Sequence, residues 1–360
     1  MNILFLNWRD TSHPRAGGAE KFTEEIGRRL ASYGNSVTIF TSRFEGSEPE
    51  TQRLGMRIVR EGGRYTVYFK ARNFVRQHLS KFDIIVDEIN TVPFQIAGIA
   101  KTRPVVALIH QLAREIWFHE TRFPFNALGY FALEPYWLRK YRQIPTITVS
   151  ESTKGDLLAR GFEQVHVVHN GTPASIGPTG KKEGHPVMIY LGRLVRSKIP
   201  GDAIKAFRRV RSSIPDAELW MVGDGYLRHE LEKQAPEGVT FYGRVDENAK
   251  FGLLRRAHVL ISPSVREGWG ISVLEANSQG TPAVGYDVPG LRDSIVDNVT
   301  GLLVPPSDFE ALSKALKGLL SDSNTWQELS SNAVEWSRKF RWEDSALEFQ
   351  EILKSVANGF

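Results

Sequence analysis

Glu267 and Glu275 stand eight residues apart around the run Gly268, Trp269, Gly270, Ile271 and Ser272. They follow a strand-like segment, Val259–Ser262, and lead into a helix that ends near Gly280. A carboxylate beside a glycine turn accepts hydrogen bonds from two vicinal hydroxyls, the pattern a ribose or a hexose presents. The glycines let the backbone approach a ligand, and free N–H groups at the helix start suit phosphate or hydroxyl. Solvated glutamates at a helix end are the competing reading. Arg193 and Lys198 are two cations in the loop directly after a strand-like Val187–Gly192 and before a helix. That spacing suits a diphosphate, with loop solubility as the alternative. Gly17 and Gly18 occupy a matching loop near the amino terminus, where glycine permits close contact with the same phosphates. Gly223, Asp224 and Gly225 end another strand and read as a wall of the site. His110 closes the strand Val105–Ile109, where it meets a substrate or serves as a structural residue. His166 and His169 are three apart and share no strand face, and the chain has no Asp-x-Asp pair. A diphosphate is therefore expected to be neutralised by Arg193, Lys198 and helix dipoles, with no metal ion and no cofactor.

The elements that must hold these residues alternate along the whole chain. Asn2 to Trp8 is an apolar run, followed by the Gly17 loop and a segment with Phe22, Ile26, Leu30 and Tyr33 at helical spacing. Strands are expected at 37–40, 82–86, 105–109, 146–149 and 165–168. The stretch from Asn170 to Pro186 carries Gly171, Pro173, Gly177, Pro178, Gly180 and Gly184 without apolar periodicity and reads as a linker. The pattern then restarts, with strands expected at 187–192, 217–222, 239–242, 259–262, 282–286 and 302–304. A helix is expected over 202–214, with Ile204, Phe207, Val210 and Ile214 inward. Near-continuous apolar strands alternating with helices predict an α/β fold of two doubly wound, Rossmann-like parallel sheets. Two such domains leave a cleft at the carboxyl ends of their strands, where ligands bind. The boundaries read as 1–172, a linker 173–186, a second domain 187–338, and a final helical segment 339–360.

Composition bounds the rest. With 360 residues, 41% hydrophobic and 24% charged, the chain holds two cores and is not disordered. It has no cysteine, which removes disulfides, thiolate nucleophiles and cysteine zinc sites. No basic leader precedes the first strand and no run reaches about 18 apolar residues, so a cytoplasmic protein is expected. A formal charge of +5 favours anionic partners. The segment from Leu112 to Arg142 mixes nine aromatic residues, among them Phe118, Phe123, Phe131 and Tyr136, with Arg114, Arg122, Arg139, Lys140 and Arg142. It reads as a packed aromatic core with a basic edge, or as an acceptor groove or a surface that touches the inner face of an anionic membrane. No nucleic-acid motif is present, and nucleic acid is not an expected partner.

In order along the chain, Gly17-Gly18-Ala19-Glu20, His110, Val149–Thr153, Val168–Gly171, Gly192-Arg193-Leu194 with Lys198, Val222–Gly225 and the Glu267 to Glu275 run resemble glycosyltransferase family 4. The resemblance implies a GT-B architecture, with the acceptor, a glycan or a lipid-linked molecule, mainly on the first domain and a nucleotide-sugar donor mainly on the second. It implies that the final helix returns to the first domain. By position, Arg193 and Lys198 would bind the donor diphosphate, and Gly17 and Gly18 would approach it. Glu275 would bind ribose, and Glu267 would hold the transferred sugar. Backbone at Trp269, Gly270 and Ile271 would contact sugar and phosphate, His110 would lie near the reacting centre, and Val245 would meet the base. The resemblance further implies transfer with retention by front-face attack, with electrostatic help to the leaving diphosphate in place of an enzymic nucleophile. Three departures bear on the shape of the sugar pocket. Ile199-Pro200 follows Lys198 where glycine is frequent, His169 stands for a frequent proline, and Trp269 replaces a common phenylalanine. A different sugar-nucleotide enzyme on this scaffold, an epimerase or hydrolase, and a silent nucleotide-sugar binder are the alternatives.

Overall fold

The computed structural model describes residues 1–172 and 180–360, so the linker residues 173–179 lie outside the described residues. The chain forms two compact units. Unit 1 comprises Met1–Arg114, Leu128–Gly171 and Trp342–Phe360, and unit 2 comprises Glu115–Ala127 and Thr172–Arg341. The run 115–127 thus groups with unit 2, although in sequence it sits inside 1–172.

Unit 1 is built on strands β1 (Asn2–Leu6), β2 (Ser36–Thr41), β3 (Glu50–Arg53), β4 (Met56–Arg60), β5 (Ile84–Glu88), β6 (Val105–Ile109), β7 (Thr146–Thr148) and β8 (Val165–Val167). Their order across the sheet is β3-β4-β2-β1-β5-β6-β7-β8. All neighbours are parallel except β3 and β4, an antiparallel hairpin that the sequence pattern did not announce. β3 has no apolar residue, β4 offers only a short alternation of Met56 and Ile58, and the turn is Leu54-Gly55, both with positive φ, in place of an Asn-Gly signature. Helix Gly18–Ser32 follows from the spacing of Phe22, Ile26 and Leu30, all fully buried. Each such side chain contributes roughly 2 kcal/mol of burial. Tyr33 lies beyond the helix end and is exposed. The last helix, Trp342–Asn358, returns to this unit. Phe349 lies 5.9 Å from Phe5 and 6.2 Å from Phe22, Trp342 lies 5.9 Å from Phe22, and Glu343 pairs with Arg29 at 2.7 Å.

Unit 2 carries a six-stranded, all-parallel sheet of β9 (Val187–Leu191), β10 (Glu218–Val222), β11 (Val239–Gly243), β12 (Val259–Ser262), β13 (Ala283–Tyr286) and β14 (Gly301–Val304). The order is β11-β10-β9-β12-β13-β14. Helix Pro200–Arg211 buries Ile204, Phe207 and Val210 against it, as the helical spacing requires. Strand order reverses between β9 and β12 in this unit and between β1 and β5 in unit 1. In an open parallel sheet the loops after those strands diverge and leave a crevice for a ligand.

Candidate active site

In unit 2 the loop after β9 carries Arg193 and Lys198, and the loop after β12 carries Glu267, so the topological switch brings the two signals together. Lys198 Nζ lies 2.5 Å from Glu267 Oε1, which also accepts from Ser264 Oγ at 2.6 Å. Both charged side chains are mostly buried, at 18% and 15% exposure. The loops are joined by Val265 N–H donating to Ser197 O, and Glu267 N–H donates to Pro289 O. Tyr190, in the core, donates its hydroxyl to Arg193 O at 2.9 Å and pins that loop, while the Arg193 side chain stays exposed. Gly223 is required by close approach, since a Cβ there would stand 2.0 Å from Gly192 O. Ile199 has φ +42 and ψ +49, the left-handed conformation that glycine adopts freely and a β-branched residue adopts under strain. It starts the helix opened by Pro200, immediately after Lys198.

Gly270, at φ +86, turns the chain into the helix Ile271–Ser278, and a Cβ there would meet Leu291 and Ser294 at 3.0 Å. That turn leaves Glu267 on the loop and places Glu275 inside the helix, buried, with Lys250 Nζ 2.7 Å from its Oε1. Lys250 belongs to helix Glu247–Arg256, whose amino end follows Val245; Val245 itself packs on the core of the unit. Lys250 was missed by sequence reasoning, and only its basic character beside Val245 hinted at it. Trp269 turns its indole inward, 4% exposed and edge-on to Phe340 at 5.0 Å, so its backbone is the part left for a ligand.

In unit 1, Gly17, Gly18 and His110 lie at the carboxyl edge of the sheet. Gly17 N–H donates to Glu20 Oε2 at 2.7 Å, and Glu20, buried, also pairs with Arg9 at 2.9 Å. A protein carboxylate thus takes the Gly17 amide, while Gly18 begins the helix and is exposed. His110 Nε2 lies 3.1 Å from Glu88 Oε1, and Thr23 donates to Glu88 Oε2 at 2.5 Å. Burial pushes the Glu88 carboxyl up, against the hydrogen bond and charge of His110 and the hydrogen bond from Thr23. A carboxylate bonded to one imidazole nitrogen sets the ring's orientation and tautomer. The sequence signal for Glu88 was an apolar strand, β5, that ends in two acids. Its neighbour Asp87 accepts from Tyr141 Oη at 2.5 Å and from the amides of Phe94 and Ile96.

The aromatic segment is only partly core. Leu138 and Tyr141 are buried, but Phe131 is 72% and Phe123 82% exposed, with Phe118, Phe125 and Tyr136 also exposed. The packed-core reading of the whole segment is corrected: the short helices Ile116–Glu120 and Phe125–Leu128 bury no residue, and the segment's core contact comes from Leu112, Leu138 and Tyr141. Among the described residues no group of three or more His, Asp or Glu is arranged to hold a metal ion, and no helix is long and apolar enough to cross a membrane.

Comparison with known families then decides the lineage. Residues 16–175 match Glycosyltransferase Family 4 and residues 172–336 match Glycosyl transferases group 1. The chain belongs to glycosyltransferase family 4. It is 27% identical to a glycogen synthase of Mycobacterium tuberculosis over 406 aligned positions, covering 100% of this chain and 96% of that protein. It is 28% identical to a phosphatidyl-myo-inositol mannosyltransferase of Mycolicibacterium smegmatis, over 61% of this chain and 60% of that one. Among solved structures it resembles sucrose-phosphate synthase of Thermosynechococcus elongatus, with a TM-score of 0.80 at 20% identity and full coverage of both chains. It also resembles HepE of Anabaena crystallised with UDP-glucose, with a TM-score of 0.76 at 17% identity, over 99% of this chain and 100% of that one. These likenesses assign the GT-B fold. The family 4 glycosyltransferase is therefore an α/β enzyme with two parallel-sheet units.

Proposed function

We propose that this glycosyltransferase is retaining and metal-independent, and that it moves a hexosyl group from a nucleotide-diphosphate sugar to a hydroxyl of a glycan or lipid-linked acceptor. The observation that carries the reading is the joined pair of loops in unit 2, where Arg193, Lys198 and Glu267 stand at the sheet's switch point. Arg193 and Lys198 take the diphosphate, and Gly17 and Gly18 approach it from their own loop. Glu267 accepts from sugar hydroxyls, and Glu275 accepts from the ribose, with Lys250 balancing its charge. Trp269, Gly270 and Ile271 offer backbone, Val245 contacts the base, and His110 adjoins the reacting centre, oriented by Glu88. In the chemical step the bond from the anomeric carbon to the phosphate oxygen breaks, and the acceptor oxygen bonds to that carbon on the same face. The acceptor proton passes to the leaving phosphate oxygen. Arg193 and Lys198 stabilise the charge that develops there, which is the role a metal ion plays elsewhere. Support for the donor class comes from HepE, which shares the fold and was crystallised with UDP-glucose.

The test is calorimetry with UDP, GDP, ADP and their sugars in EDTA, followed by proton NMR of the product's anomeric signal. Binding without metal and an unchanged anomeric configuration are expected. Binding that requires a divalent ion, or an inverted product, overturns the reading. A sugar altered without acceptor would instead favour an epimerase or hydrolase.

We propose in addition a cytoplasmic location with peripheral contact to anionic membrane. In unit 1, Phe131 and Tyr136 are exposed, Lys140 lies 4.4 Å from the Tyr136 ring and Arg114 lies 4.0 Å from the Tyr130 ring. Rings with cations over their faces suit a lipid headgroup layer. Flotation with anionic liposomes should carry the protein and release it at high salt, and no salt-sensitive flotation refutes the contact.

A further inference from the structure

The run 115–127 lies on both loops that form the candidate donor site of unit 2. Its five-residue helix, Ile116–Glu120, packs on the turn Arg196–Lys198. At one end, Glu120 Oε1 accepts from Ser197 N–H at 2.8 Å and Oε2 accepts from Tyr226 Oη at 2.9 Å. Tyr226 in turn accepts from Arg196 N–H at 2.9 Å, which fixes its hydroxyl against the loop. At the other end, Glu115 Oε2 pairs with Arg266 Nε at 3.2 Å, one residue before Glu267. The strap is thus fastened by a carboxylate to each of the two loops, and its own sequence contributes the acids.

A carboxylate held by a loop amide, a tyrosyl hydroxyl and a nearby guanidinium uses the donors that a phosphate oxygen would use. Burial pushes the Glu120 carboxyl up, but the hydrogen bonds from Ser197 and Tyr226 and the Arg193 charge outweigh it and hold it below the ordinary range. The group is therefore anionic at neutral pH.

We infer that Glu120 is an internal stand-in for a donor phosphate, so that a nucleoside diphosphate must displace the 115–127 strap to occupy the loop of Arg193, Ser197 and Lys198. Tyr226 then becomes a ligand of the phosphate. The inference rests on the reading of that loop as the diphosphate site. It makes the strap an autoinhibitory contact: the apparent affinity for the nucleotide is the open-strap affinity multiplied by the fraction of molecules in which the strap is open. A strap closed in nine molecules of ten costs about tenfold in affinity.

The test is calorimetry of UDP, GDP and ADP with the full chain, its Glu120→Gln form and its Glu120→Ala form, joined to hydrogen exchange over 115–127. Both variants should bind the preferred nucleotide about tenfold more tightly. In the wild type the nucleotide should raise exchange in 115–127. Glu115→Gln frees the other end without touching the phosphate loop and should give a smaller gain in the same direction. Unchanged or weaker binding by the Glu120 variants overturns the inference while leaving the donor reading intact. Nucleotide binding with no rise in exchange at 115–127 overturns it as well. No binding by wild type and variants alike overturns the donor reading, and the inference with it.

Discussion

Glu267→Gln is the sharpest perturbation of the site, because it keeps the shape while removing the charge and turning one acceptor oxygen into an N–H donor. Glu267 is held by Ser264 at 2.6 Å and Lys198 at 2.5 Å, and the glutamine can still accept from both. A hydrogen bond to a charged acceptor is worth about 1.5–3 kcal/mol and a neutral one about 1 kcal/mol. Two sugar hydroxyls bound to the carboxylate therefore lose roughly 2 kcal/mol together, or about 30-fold in kcat/KM. Glu267→Ala removes both acceptors and leaves Lys198 without its ion-pair partner, which raises the loss to about a thousandfold. The pair is mostly buried yet keeps 15–18% exposure, so the stability cost is below that of a fully buried pair, roughly 1–2 kcal/mol for the alanine form. The assay is steady-state kinetics with the nucleotide sugar identified by calorimetry, beside thermal unfolding of each variant. Near-wild-type kcat/KM in both variants, with folding intact, would refute the assignment of Glu267 to the sugar. A loss confined to stability would reduce it to a structural residue.

Lys250→Met should leave Glu275 buried without its 2.7 Å partner, lowering the melting temperature of unit 2 by a few degrees and weakening nucleotide binding; unchanged binding by calorimetry would detach Glu275 from the ribose. Glu88→Gln should shift the pH profile of kcat more than KM, because His110 loses the carboxylate that orients it; a profile identical to wild type counts against that role. The same variant has a stability signature. The folded Glu88 carboxyl lies above its unfolded value, so the folded state holds the extra proton and stability falls as pH rises through the raised pKa; the glutamine form should lack that slope in thermal melts. His258 carries the opposite sign. Burial, helped by the Lys182 charge, lowers it to about 4, and its Nδ1 accepts from Val187 N–H at 3.1 Å. Stability should therefore fall as pH drops from about 6.5 toward about 4, and His258→Asn should flatten that acid limb in thermal melts.

Apolar runs bounded by glycine turns were enough to read most strands of both sheets, because a parallel strand buried on both faces leaves a near-continuous apolar signature in the chain. The β3–β4 hairpin escaped for the converse reason: the edge strand β3 has no apolar residue, β4 sets Met56, Ile58 and Val59 among arginines, and the Leu54-Gly55 turn carries no Asn-Gly signature. The candidate site was read from the same strand ends. Arg193, Lys198, Glu267 and Glu275 follow strand ends in sequence, and in a parallel sheet every strand end points to one edge.

What the sequence could not decide was which charges meet. Lys250 reaches Glu275 across 25 residues, Glu88 reaches His110 across 22, and Glu120 reaches Ser197 across 77. Each contact forms because the fold brings separate elements side by side, and no local spacing encodes it. The sequence alone therefore determined the fold class and the family, and it named the residues of the candidate site. Tertiary packing decided which acid is paired, which is buried, and that the 115–127 strap belongs with the loops of unit 2, because ion pairs and burial depend on three-dimensional neighbours.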